Sequence, residues 1–319
     1  MSIANSIVNK TFSNRLLAAL CLLMALTVES MFGQQDAQYT QYMYNTVTVN
    51  PAYAGSRGHM SIALLHRSQW IGLEGAPQTQ TLNVHSPIGY RGVGLGLSMV
   101  QDKIGPTSET NADIDFSYTL HTSKTGRLSF GLKASAHLLD VRFSELDEYS
   151  TDDLLKTDID NKFSPNFGAG VYYHTDKYYV GLSVPRILET THFDSSKLST
   201  AKERMNYYLI SGYVFELNKL LKFKPAVLAK VVQGAPFQLD MSTSFLYNDK
   251  FVLGAGYRWG AAISGLVGFQ MSNGLFIGMA YDKEVTDLGK ATFNDGSFEV
   301  IIRFDFISVK DNLKSPRFF

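Results

Sequence analysis

From residue 60 to residue 306 the chain alternates between apolar and polar residues in one short segment after another, and this period of two restricts its fold more than any other feature. Leu128, Phe130, Leu132, Ala134, Ala136 and Leu138 share one face, while Ser129, Gly131, Lys133, Ser135 and His137 share the other. Phe251, Leu253, Ala255, Tyr257 and Trp259 alternate in the same way with Val252, Gly254, Gly256 and Arg258. So do Phe298, Val300, Ile302, Phe304 and Phe306 with Glu299, Ile301, Arg303 and Asp305, and Ala112, Ile114, Phe116, Tyr118 and Leu120 with Asp113, Asp115, Ser117, Thr119 and His121. Successive side chains of a strand point to opposite faces, so each segment predicts a strand with one continuously apolar face and one of Gly, Ser and charge. Fourteen strands are predicted, over 60–71, 78–88, 92–103, 107–121, 127–143, 165–175, 178–187, 203–217, 221–233, 236–248, 250–259, 261–272, 275–286 and 296–306. Helical patterning is nearly absent, which argues against a βαβ enzyme.

A soluble sandwich alternates too, and two further features favour a transmembrane barrel. Segments of about ten residues match the length a tilted strand needs to cross the hydrocarbon layer. The connections also show parity: those after even-numbered strands are short (122–126, 175–177, 218–220, 248–250), and long ones at 144–164, 188–202 and 287–295 follow odd-numbered strands. Short turns at one end and long loops at the other are how outer-membrane barrels are built, and an even strand number would place both termini on the short-turn, periplasmic side.

The N-terminus fits export. Lys10 and Arg15 precede an apolar run at 16–28, and Gly33 supplies a small residue for cleavage, the pattern of a secretory signal. The only cysteine, Cys21, lies inside that run behind Leu20, not the small residue a lipidation signal needs, so the mature chain is expected to lack thiol chemistry. No later segment is the uncharged apolar run of about 18 residues that a transmembrane helix needs. Lys+Arg and Asp+Glu both total 29, so no net charge recruits nucleic acid.

Aromatic content is 13%, and Tyr172-Tyr173, Tyr178-Tyr179 and Tyr207-Tyr208 sit where an interfacial girdle belongs. Tyr39, Tyr42 and Tyr44 fit no helical or strand face, and residues 34–59 read as a lead-in packed on or inside the main domain, with a turn at Asn50-Pro51. Glycine recurs on the polar face at Gly94, Gly96, Gly168, Gly170, Gly181, Gly254, Gly256 and Gly278. Glycine weakens strands, so its repetition predicts sharp curvature or close approach of another segment, and hence a partly filled lumen.

Catalytic and metal signals are weak. Asp158-Ile159-Asp160-Asn161 in the acidic loop offers hard oxygens but lacks the spaced ligands and turn glycine of a calcium loop. The histidines, at 59, 66, 85, 121, 137, 174 and 192, show no metal-ligand spacing, and no GxSxG, HExxH or P-loop is present. A hydrolase would have to hide a Ser-His pair across strands, for example around His121 or His137. The inward Arg67, Lys133, Arg258 and Arg303 are expected to pair with Asp113, Asp115, Glu299 and Asp305. No catalytic, cofactor or metal residue is assigned.

Specific residues resemble a known family. Gln38-Tyr39-Thr40-Gln41-Tyr42-Met43-Tyr44-Asn45 and Asn50-Pro51-Ala52-Tyr53-Ala54-Gly55 are similar to the opening of the PorP/SprF family of the Bacteroidota. Arg67-Ser68-Gln69-Trp70, Glu74-Gly75-Ala76-Pro77, Thr79-Gln80-Thr81 and His85-Ser86-Pro87 resemble its next block. Phe167-Gly168-Ala169-Gly170-Val171-Tyr172-Tyr173, Gly234-Ala235-Pro236-Phe237-Gln238-Leu239-Asp240, Tyr281-Asp282 and Ser315-Pro316-Arg317 are similar to later landmarks. Asn45-Thr46 departs locally from the Asn-Pro common in the family. The resemblance implies an outer-membrane barrel of the type IX secretion system. It also implies partners among the periplasmic ring proteins or a large secreted surface protein, such as a gliding adhesin, and no catalytic motif.

The expectation is therefore an all-β, antiparallel transmembrane barrel of about 14 strands in the outer membrane, in contact with lipid. Residues 1–33 are read as a signal peptide, 34–59 as a periplasmic or lumenal lead-in, 60–306 as the barrel and 307–319 as a tail. It is read as a non-enzymatic binder without cofactors. The alternatives are a general diffusion porin and, less favoured, a barrel hydrolase.

Overall fold

The computed structural model describes residues 37–89, 92–145, 158–189, 204–233, 235–272, 274–290 and 294–307. The expected signal at 1–33, the loop tips at 146–157 and 190–203, and the tail beyond residue 307 lie outside the described residues.

The alternating segments form antiparallel strands: β1 (Met60–Ser68), β2 (Gln78–Ile88), β3 (Val93–Ile104), β4 (Thr107–His121), β5 (Arg127–Val141), β6 (Ile159–His174), β7 (Tyr178–Val184), β8 (Asn206–Tyr213), β9 (Phe215–Glu216), β10 (Leu221–Val232), β11 (Gln238–Tyr247), β12 (Phe251–Arg258), β13 (Ala262–Gln270), β14 (Leu275–Glu284) and β15 (Ser297–Phe306). The two-residue β9 continues β8 beyond Val214, whose N–H donates to the Lys177 carbonyl at 2.7 Å. Fourteen staves result. Each pairs with its sequence neighbour, and β15 pairs with β1 from Met60↔Phe306 to Ser68↔Phe298, closing the barrel. Closure removes the unpaired edges that hydrocarbon does not tolerate.

The parity of the connections holds. Turns 89–92, 122–126, 175–177, 217–220, 248–250 and 271–274 lie at one end. The turn at Asn248-Asp249 carries φ of 51° at both residues, as a tight hairpin requires, and the Lys250 N–H closes it on the Tyr247 carbonyl at 3.0 Å. The chain leaves β1, β5, β7 and β14 for its longer connections at the opposite end. The expected loop 144–164 is shorter than predicted, because Ile159–Phe163 extends β6 to pair with the long β5.

Apolar residues cover the outer face: Leu132 and Leu253 are 63% and 64% exposed. Among the described residues no helix is long and apolar enough to cross a membrane. The tyrosine doublets divide between the two faces. Tyr173, Tyr178, Tyr213, Phe215, Phe223 and Phe245 face outward in successive ring contacts of 4.4–6.4 Å at the short-turn rim. Their neighbours Tyr172 and Tyr179 are buried inside, as is Tyr208. The girdle therefore takes one member of each of these two doublets, because adjacent strand residues must face opposite ways.

The inner face is not uniformly Gly, Ser and charge. Leu65, Leu246, Val252, Leu266, Phe276 and Ile301 point inward and form a buried apolar cluster with residues of the lead-in.

Candidate functional site

Residues 37–59 occupy the lumen. The segment carries a 3₁₀ turn at Tyr42–Tyr44, one α-turn at Thr46–Val49 and a second 3₁₀ turn at Pro51–Tyr53. The last is set locally: the Asn50 side chain accepts the Ala52 N–H at 3.0 Å, and Pro51 fits the first helical position with no N–H to leave unpaired. The strands begin and end at the short-turn side, as expected. The lead-in, however, doubles back inside the barrel, so Ala37 lies toward the long-loop end and Arg57 and His59 lie near the start of β1.

Charge fixes both ends of this plug. Near the long-loop end the Glu299 carboxylate, 0% exposed, accepts the backbone N–H groups of Thr40 at 2.9 Å and Gln41 at 2.8 Å, and Arg67 at 3.2 Å. Arg67 also reaches Asp282 at 2.7 Å, and the Thr40 hydroxyl donates to Asp282 at 2.5 Å. At the short-turn end Asp305 accepts Arg57 at 2.8 Å, Ser61 at 2.8 Å and Arg303 at 3.1 Å. Between them the Lys133 ammonium lies 3.0 Å from Asp113, 3.4 Å from Asp115 and 3.3 Å from the Thr48 carbonyl. Buried charges persist when each is paired and hydrogen-bonded.

The three lead-in tyrosines explain their own lack of periodicity, because each meets a different wall. The Tyr39 hydroxyl accepts from Thr81 of β2 at 3.2 Å, Tyr42 meets Ser242 of β11 at 3.0 Å, and the Tyr44 ring packs on Phe276 of β14 at 4.9 Å. Desolvation by burial pushes all three phenols above their ordinary pKa; the hydrogen bonds to Tyr39 and Tyr42, and the Arg303 charge near Tyr44, oppose it only in part.

Glycines mark where the plug presses on the wall. A Cβ on Gly131 would lie 2.1 Å from the Ala52 nitrogen, and one on Gly94 would lie 2.3 Å from the Ala54 oxygen. Gly170 and Gly278 face the Asn50 and Gln41 side chains in the same way, whereas Gly254 and Gly256 abut neighbouring strands, mainly at Ser244 and Ser264. The expectation of a filled lumen is thus met by the first group, and the second reflects local packing within the wall.

Above the plug, toward the long loops, a cavity of about 80 Å³ remains. Ala37, Tyr39, Thr48 and Val49 line it together with Asp102, Glu109, Asp113 and His137 of β3–β5 and Arg186 and Arg204 near β7 and β8. Opposite charges thus face one another across a small vestibule.

The weak chemical candidates are accounted for. The Asp158 carboxylate accepts the Ser144 N–H at 2.9 Å and hydroxyl at 2.8 Å, which hold it below its ordinary pKa, while Asn161 donates to Asp140. Among the described residues no group of three or more His, Cys, Asp or Glu side chains is placed to hold a metal ion. His121 is exposed at the short-turn end of β4, and the His137 ring faces the Glu109 carboxylate at 3.7 Å on the inner wall. All four expected inward cations find inward acids. Sequence reasoning left out two of those acids, Asp240 beside Arg258 at 2.5 Å and Asp282 beside Arg67. It also left out the anchoring role of Arg57.

The family described as type IX secretion system membrane protein PorP/SprF matches residues 31–304. Among solved structures, the toluene transporter TodX of P. putida is similar at 11% identity and a TM-score of 0.49, covering 83% of this chain and 94% of its own. The toluene transporter TbuX of Ralstonia pickettii gives 12% identity, a TM-score of 0.44, and coverage of 84% and 93%. The outer membrane protein Omp33 of Acinetobacter baumannii gives 9%, 0.46, and 78% and 98%. No curated protein matches the chain in sequence.

Proposed function

Because the chain belongs to the PorP/SprF family of type IX secretion system membrane proteins, we propose that it is a non-conducting, non-enzymatic binding platform in the outer membrane. The long loops and vestibule engage a secreted surface protein, of which a gliding adhesin is one kind. The short turns face the periplasmic ring components of the machine.

One observation carries this reading: the lumen is filled by the chain's own residues 37–59, tied to the wall at both ends by Glu299 and Asp305. A diffusion porin needs a water-filled path, and this barrel places an apolar cluster and buried ion pairs there instead. What remains accessible is surface, and a barrel with a filled interior is a rigid scaffold for binding residues. The unlike charges of the vestibule suit a peptide that carries both signs.

The test is affinity purification from gently solubilised outer membranes, with co-purifying proteins identified by mass spectrometry. Recovery of one large surface protein, of ring proteins, or of both in stoichiometric amount supports the reading. A barrel recovered without any stoichiometric partner overturns it.

A further inference from the structure

The outer face is apolar to very different heights around the barrel. On β5 the outward residues Leu128, Phe130, Leu132, Ala134, Ala136 and Leu138 form a stripe about 26 Å tall, taking a rise of about 3.4 Å and a tilt of about 40°. That matches the ~25 Å apolar band of transmembrane barrels. On β1 the stripe is only Met60, Ile62 and Leu64, about 10 Å by the same reckoning, and then outward His66 begins a polar run.

Strand register shows this to be a notch rather than the upper rim of the membrane. One rung of paired residues reads Val300, His66, Gln80, Gln101, Thr110, Leu138 across β15 to β5. The rung next to it, nearer the short turns, reads Ile302, Leu64, Leu82, Met99, Ala112, Ala136 and is apolar throughout. Ser61 pairs with His85 while β2 runs on to Ile88, and Val93 pairs with Tyr118 while β4 runs on to His121. Rungs therefore climb toward the long-loop end from β1 to β5. Leu138 stands farther out than His66 and is still apolar. His66 lies about 16 Å above the short-turn rim and Gln80 about 21 Å, both inside a band of about 25 Å.

His66, Gln80 and Gln101 are exposed on this face, beside a groove floored by Leu64, Leu82, Met99, Val300 and Ile302. His66 shares a hydrogen bond with Ser68 at 3.1 Å. Among the described residues the Gln80 and Gln101 amides find no partner. Hydrocarbon offers none either, so an amide at this depth is expensive until another protein satisfies it.

We propose that this notch is the interface of a homodimer, with the β1–β3 face of one copy packed on the same face of a second. Copies inserted the same way are related by a two-fold axis along the membrane normal, which brings each side chain to its own depth on the other copy. Gln80 and Gln101 each donate and accept, so two such patches satisfy each other, and the groove on each copy supplies apolar area around them. The cluster of His66, Gln80 and Gln101 holds no carboxylate, lysine or arginine.

The test places one thiol at position 80, as Gln80→Cys with Cys21→Ala, and treats native outer membranes with a short thiol cross-linker. Leu253→Cys on the far wall is the control. Cross-linking between copies is expected at position 80 and not at 253. A second chain, His66→Leu/Gln80→Leu/Gln101→Leu, is expected to keep heat-modifiable barrel migration but to run as a monomer in detergent where the parent runs as a dimer. A thiol at 80 that reacts with a maleimide yet joins no second copy overturns the proposal in favour of local membrane thinning. A cross-linked product carrying a different protein overturns it in favour of another partner, and a triple-leucine chain that stays dimeric overturns the role of the polar groups.

Discussion

Replacing Gly131 by Ala adds one methyl group at the point where the inner wall of β5 meets the plug. That Cβ would stand 2.1 Å from the Ala52 nitrogen, 2.4 Å from the Pro51 carbonyl carbon and 2.5 Å from the Ala52 Cα. Carbon contacts settle near 3.5 Å, so the plug backbone must retreat by roughly 1 Å. No flexible side chain is available to give way, because every one of these atoms is backbone. Overpacking of this kind costs about 1–3 kcal/mol. Gly94→Ala makes a parallel demand, since its Cβ would meet the Ala54 oxygen at 2.3 Å. Both substitutions displace the same few residues, so the double variant should cost less than the sum of the singles. Gly265 is the control: it lies on the outer face with nothing within 4 Å of its Cβ, and an Ala there should be neutral or stabilise by up to about 1 kcal/mol. The assay is equilibrium unfolding in detergent, together with amide hydrogen exchange across residues 50–55. Gly131→Ala should lower stability and speed exchange in that segment. If it leaves both unchanged while folding as a barrel, the plug does not press on β5 and the reasoning fails.

Three other outcomes follow from the same network. Arg67→Ala leaves Asp282 and Glu299 buried without their cation and should cost about 3–5 kcal/mol in a urea unfolding series, whereas a surface substitution such as Lys222→Ala should fall within about 0.5 kcal/mol. Asn50→Ala removes the cap on Ala52 and the contact to the Val171 carbonyl at 3.1 Å, and should cost about 1–2 kcal/mol with faster proteolysis between residues 37 and 59. The raised pKa of Tyr39, Tyr42 and Tyr44 means that the plug holds their protons more tightly than water does. The stabilisation is fully present below about pH 10, where a free phenol ionises, and is lost as pH climbs through the raised values. Tyrosinate absorbance should show these three residues titrating only when the plug leaves the lumen.

The barrel was legible in the sequence because one physical constraint, apolar outside and polar inside, recurs along most of the strands. Leu128–Leu138 and Phe251–Trp259 carried it without ambiguity. The plug was legible only as an anomaly. Tyr39, Tyr42 and Tyr44 obey no period because the segment touches wall on all sides, and a segment enclosed on all sides has no single apolar face to reveal. Glycines on the inner face signalled a close approach, yet Gly94 and Gly254 look alike in sequence and only the first meets the plug. The direction of the plug was not readable either. Asp282 and Asp305 anchor opposite ends of it, and nothing in their local sequence distinguishes them. Composition alone points every member of the tyrosine doublets to the girdle, whereas strand geometry turns Tyr172 and Tyr179 inward once Tyr173 and Tyr178 face out. The notch at His66, Gln80 and Gln101 depends on register between strands, which a single sequence does not display.

The central claim is that this barrel works with its lumen closed by residues 37–59, and planar-bilayer conductance of the purified protein tests it most directly. A lumen closed by the plug gives no stable open level for the parent chain, and openings for the Gly94→Ala/Gly131→Ala chain as its plug is pushed from the wall. A large, steady conductance from the parent chain would contradict it and return the barrel to the diffusion porins.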